Sequence, residues 1–146
     1  MLARRKFLLH LRLRIGCNRR MHLKEVVGHL NELLGIPGFS DYPNAWNGLQ
    51  VENSGGLSRI GAAVDACEAV IQEAAGAGVD LLLVHHGLFW GGVAPLTGAA
   101  YRKAKLALDA DMAIYSAHLP LDAHPRVGNN SIRPAASGSR AANHSF

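Results

Sequence analysis

The stretch RIGAAVDACEAVIQEAAGAGVDLLLVHH (residues 59–86) decides the fold. RIGAAVD (59–65) reads as a buried strand, ACEAVIQEAAGAG (66–78) as an Ala-rich helix closed by glycine, and VDLLLV (79–84) as a second buried strand without polar alternation. Two buried strands joined through a helix predict a parallel pair with a right-handed crossover. Further along the chain, GAAYRKAKLALDA (98–110) reads as a helix and MAIYSA (112–117) as a third strand. Upstream, Leu23, Val26, Val27, Leu30, Leu33 and Leu34 follow helical spacing until Gly35 and Pro37 stop it. Between these segments, PGFSDYPNAWNGLQVENSGG (37–56) is turn-rich, with GLQV as a candidate short strand. The expected fold class is α/β, a parallel or mixed sheet with helices packed on it.

In such sheets, chemistry gathers beyond the carboxyl ends of the strands. Asp65 follows the first strand, His85 and His86 the second, and His118 and then Asp122 the third. Three strand ends therefore point to one crevice. His and carboxylate side chains are ligands for Zn, Mn, Fe, Co or Ni. Adjacent on a turn, His85 and His86 should diverge toward two ions, with Asp122 closing on one of them. Such a site would activate a bound water and clamp a carbonyl or phosphoryl oxygen, the chemistry of a hydrolase.

The neighbouring residues invite plainer readings. Asp65 is expected to cap the following helix, with a supporting role beside the histidines as the alternative. His124 is expected to cap a turn before Pro125, and His22 and His29 to be solvated on the first helix. Trp46, Phe89 and Trp90 are expected in the core or at a subunit contact. NGLQVENSGG lacks the Gly-Lys-Ser/Thr end of a phosphate loop, so no nucleotide-binding motif is present in it.

Charge divides unevenly along the 146 residues, whose formal net charge is +4. Residues 1–20 hold six Arg, one Lys and no acid, which leaves eight basic and eleven acidic residues in 21–146, a net charge of −3. The basic character belongs to an extension, so nucleic acid is not expected as a partner. That extension, able to form an amphipathic helix, resembles a transit peptide; the expected reading is instead a start set upstream of Met21. Its apolar run, broken by His10, Arg12 and Arg14, is too short for a membrane span. Cys17 and Cys67 lack CxxC spacing, which points to a reducing compartment and a cytoplasmic protein, with Cys67 a small apolar residue near a helix start. Residues 131–146 show no apolar periodicity and are expected as an irregular tail.

WNGLQV (46–51), AAVDACEAVIQEA (62–74), DLLLVHHGLFW (80–90) and IYSAHLPLDAHPRVGNN (114–130) occur in order, and together they resemble the Nif3-like family of GTP cyclohydrolase 1 type 2 homologs. The resemblance spans residues 21–130, which would be the N-terminal part of a Nif3-like α/β domain. It implies a hexameric ring of identical chains and two divalent metal ions per site. His85 and His86 would be ligands to different ions, Asp122 a ligand to one of them, and His118 a nearby proton carrier. The family's late His-x-x-x-Glu motif, which supplies the remaining ligands, does not occur here, so a truncated or frameshifted, and inactive, form is the expectation. The implied function is metal-dependent hydrolysis of a small phosphorylated or nucleotide-type substrate. The alternative is a non-catalytic metal-binding ring scaffold that interacts with other proteins.

Overall fold

The computed structural model describes residues 9–12, 21–90 and 94–128. In chain order its elements are β1 (Leu9–Arg12), β2 (Met21–His22), α1 (Leu23–Leu34), β3 (Gly48–Val51), β4 (Gly56–Leu57), β5 (Arg59–Asp65), α2 (Glu68–Gly76), β6 (Leu81–His86), α3 (Gly98–Asp109), β7 (Ala113–Ser116) and α4 (Leu119–Asp122). The main sheet runs β1-β5-β6-β7-β3, while β2 and β4 form a separate two-stranded ribbon. β5, β6 and β7 are mutually parallel, joined by α2 and α3 as the strand–helix–strand pattern requires. GLQV is β3, antiparallel to β7 at one edge. The sheet is therefore mixed, within the expected α/β class.

Side chains alternate across this sheet and build two cores. Leu82, Val84 and Ile114 face α2 and α3, where they pack with Val70, Ile71, Ala74 and Ala107. Leu81, Ala113 and Tyr115 face the opposite side and meet Leu23, Val26 and Leu34 of α1. The result is a three-layered α/β/α arrangement, with an apolar stripe of each helix against the sheet. α1 ends at Gly35, whose φ of 63° places it in the left-handed region that closes a helix without a Cβ penalty. Tyr115 ties the layers, its hydroxyl donating to Asn31 Oδ1 at 2.9 Å.

At two places the structure differs from the sequence reading. Leu9–Arg12, in the segment read as able to form an amphipathic helix, instead pair antiparallel with β5, from Leu9 opposite Ala62 to Arg12 opposite Arg59. The alternation in LHLRLRI (9–15) has the two-residue period of a strand, which explains the outcome. β6 begins at Leu81 and includes both histidines, so these are the last two strand residues rather than the turn after the strand. Parallel pairing of Asp65 with His86, and donation of Ala66 N to His86 O at 2.9 Å, carry the strand that far. The tail expected over 131–146 lies outside the described residues. No helix among the described residues is long and apolar enough to cross a membrane.

Candidate metal centre

The carboxyl ends of β5, β6 and β7 bring Asp65, His85, His86, His118 and Asp122 to one edge of the sheet. His118 immediately precedes α4, whose last residue is Asp122. One ligand atom from each of His85, His86 and His118 lies within 4.8 Å of the others. The His85 and His86 ring centroids are 4.5 Å apart and nearly perpendicular, and His85 and His118 are 4.8 Å apart. The adjacent pair thus presents its rings at nearly a right angle, with ligand atoms that stay within reach of one another. Successive strand residues start on opposite faces, yet here both rings turn into the crevice beyond the strand end.

A carboxylate serves each histidine. Asp65 Oδ1 lies 2.7 Å from His86 Nδ1, and Asp41 Oδ1 lies 3.0 Å from His118 Nδ1. A carboxylate on Nδ1 holds the proton there and leaves Nε2 with its lone pair, the usual preparation of a metal-ligating imidazole. Asp122 Oδ1 lies 3.0 Å from His85 Nε2, close enough for an ion pair but out of hydrogen-bond alignment. Both ring nitrogens of His85 are buried without a hydrogen-bond partner. Leaving such atoms unsatisfied is costly unless something binds them.

Asp41 is the best-anchored acid of the group, its side chain only 4% exposed. It accepts from Asn47 Nδ2 at 2.8 Å, Tyr42 N at 2.7 Å and Leu119 N at 3.1 Å, besides holding His118. Burial works to raise its pKa, but the hydrogen bonds from Asn47, His118, Tyr42 and Leu119 outweigh it and hold the carboxyl below the ordinary value of 3.8. Asn47 completes the clasp by accepting from His118 N at 2.7 Å. The sequence reading passed over Asp41 and Asn47, because they lie in the turn-rich segment more than seventy residues before His118. The signal available was local: Asp41 and Asn47 flank the short turn YPNAW (42–46), with Asn47 inside WNGLQV.

Other expectations resolve plainly. Asp65 does not cap α2, whose N-cap position is Cys67 and has no side-chain cap bond. Its carboxylate is drawn to His86 instead, because parallel pairing sets the two side by side. His22 and His29 are exposed, and His124 Nδ1 accepts from Arg126 N and Val127 N at 3.2 and 3.1 Å, capping its turn. Trp46 and Phe89 are not in the core, being 65% and 42% exposed. Trp90 is half-buried beside the centre, its ring centroid 4.8 Å from that of His118 and 5.7 Å from that of His86.

The fold and site together define an α/β protein with a histidine–carboxylate cluster at the carboxyl edge of its parallel strands. Residues 21–135 match the model of the Duf34/NIF3 (NGG1p interacting factor 3) family, and the chain belongs to that family. It is 46% identical over 121 residues to the GTP cyclohydrolase 1 type 2 homolog of Treponema pallidum (strain Nichols), covering 82% of this chain and 42% of the relative. The homolog of that name from Deinococcus radiodurans is 47% identical over 108 residues, covering 74% and 40%. Among solved structures, TTHA1606 from Thermus thermophilus superposes with a TM-score of 0.71 at 45% identity, covering 75% of this chain and 45% of that one. The protein ybgI, described as of unknown function, gives 0.69 at 41% identity, covering 76% and 44%. The chain thus spans less than half the length of the relatives it matches.

Proposed function

We propose that this chain carries the histidine-rich part of a divalent-metal-dependent hydrolase acting on a small phosphorylated or nucleotide-type substrate. The observation that carries the reading is His85, whose two ring nitrogens are buried without a hydrogen bond, with Asp122 Oδ1 3.0 Å from Nε2 and two other imidazoles beside it. A donor set of His85, His86, His118 and Asp122 fits a borderline first-row ion such as Zn, Mn, Fe, Co or Ni. When bound, such an ion supplies Lewis acidity and a water of lowered pKa. The chain's own residues do the positioning. Asp65 and Asp41 fix the tautomers of His86 and His118, and Trp90 covers one side of the rings. His118 Nε2 is then a ligand, or a proton acceptor where no ion takes it. A second ion, as the family resemblance implies, would draw on donors beyond these four. The names of the relatives, GTP cyclohydrolase 1 type 2 homologs, support the reaction class in kind.

The test is metal-dependent release of phosphate or formate from nucleoside triphosphates. Release by the wild type that chelation stops, and that His86→Ala abolishes, supports the reading. Release that survives the substitution, or protein-partner capture with no turnover at any metal loading, would count for the scaffold alternative.

A further inference from the structure

A cavity of about 700 Å³ opens beside the cluster, lined on its walls by Trp46, Leu49, Leu88, Phe89, Trp90 and Ala104, with Lys103 among its few polar side chains. Its size and mostly apolar walls are those of small-molecule sites. Trp90 belongs to both places: it lines the cavity, and its ring meets those of His118 and His86 edge-on. A molecule in the cavity would thus meet the histidines only across the Trp90 ring.

One side chain bridges two of the walls. Gln50 donates from Nε2 to Trp46 O at 2.7 Å and accepts at Oε1 from Leu88 N at 2.6 Å, joining the segment before β3 to the loop after β6. Gly87 makes this clasp fit, since a Cβ there would fall on the Gln50 amide. Lys103, half-buried on α3, has no ion pair or hydrogen bond among the described residues. An ammonium lining a mostly apolar cavity, with no carboxylate partner among the described residues, favours an anion from outside. Three aromatic rings on the same walls favour a flat π-system that can stack on them.

We infer that this cavity binds the planar aromatic part of a small anionic molecule, with Lys103 neutralising its carboxylate or phosphate. As a substrate site it rests on the hydrolase reading above; as a binding site it does not. The experiment separates the two by using the 146-residue chain in chelator, with ligand-observed NMR titrations. The probes are naphthalene-2-carboxylate, 2-naphthyl phosphate, cyclohexanecarboxylate and inorganic phosphate. Both naphthyl anions should bind, and their ratio distinguishes carboxylate from phosphate. Cyclohexanecarboxylate and inorganic phosphate should bind at least about 10-fold more weakly, in line with the stacking energy. Trp46→Ala and Lys103→Gln should each weaken the naphthyl anions about 5- to 10-fold, in variants whose circular dichroism and thermal melt match the wild type. Should a variant fail to fold, Phe89→Leu is measured in its place. The inference is overturned if neither naphthyl anion binds, if cyclohexanecarboxylate binds as well, or if the folded variants bind like the wild type. Metal uptake, measured separately, can fail while this binding persists, and the reverse.

Discussion

Asp41 carries an outsized share of the centre for a residue that holds no position among the ligands. It orients His118 through Nδ1 and pins the start of α4 through Leu119 N, so it sets both the ring and the backbone on which Asp122 rides. Asp41→Asn keeps the size but puts a neutral amide against His118, loosening the tautomer. The variant should bind zinc about 10- to 100-fold more weakly, the usual cost of losing a carboxylate behind a metal-ligating histidine, as measured by competition with a chromophoric chelator. The same substitution should change the acid response. Because the folded-state pKa of Asp41 lies below its unfolded value of 3.8, its contribution is present above that value and lost as pH falls through the folded one. The urea midpoint of the wild type should therefore fall more steeply than that of Asp41→Asn as pH drops from about 4 through the lowered folded value. Parallel curves would show that the carboxylate adds nothing to stability.

Among the elements, α4 is the short one on which the centre depends, and a glycine outside it fixes its place. Gly128 donates to His124 O at 3.0 Å, and a Cβ there would sit 2.7 Å from Leu121 O and 2.8 Å from Asp122 O. No flexible side chain is available to yield, because the obstructing atoms are backbone. Gly128→Ala should cost about 1–3 kcal/mol by overpacking and move Asp122 off His85. A thermal melt with a parallel zinc titration checks it, and an unchanged melt with unchanged affinity would refute the close approach. The elements themselves were legible to very different degrees. β5, α2, β6, α3 and β7 could be read because each buries a continuous run or stripe of apolar residues, and burial is what periodicity reports. β1 was missed because its alternation LHLR sits inside a strongly basic stretch, where charge drew the reading toward a helix. Within the site, the histidines were legible by their strand ends. Asp41 was not, since its partner is brought to it only when β3 pairs with β7.

For the molecule as a whole, the number of metal ions per chain decides how much of a centre these residues make. His85, His86 and His118 bring three ligand atoms within 4.8 Å of one another, and Asp122, 3.0 Å from His85 Nε2, would have to turn to an ion to supply the fourth donor of one tetrahedral site. Two adjacent ions would receive about two protein donors each, fewer than the three or four that catalytic and structural sites use. Elemental mass spectrometry of the 146-residue protein, dialysed without chelator after loading with zinc, should accordingly give close to one ion per chain. His85→Ala should bring the content toward zero, since it removes a central ligand whose two ring nitrogens are buried without a hydrogen bond. A content near two would mean that further donors complete a dinuclear site within this chain or between its copies. Sedimentation at varied protein concentration separates these, because donors shared between copies make metal content rise with self-association, as a ring of identical chains would require. A content of zero in the folded wild type would remove the metal from the proposed function, and His85 would then stand as an imidazole beside the Asp122 carboxylate.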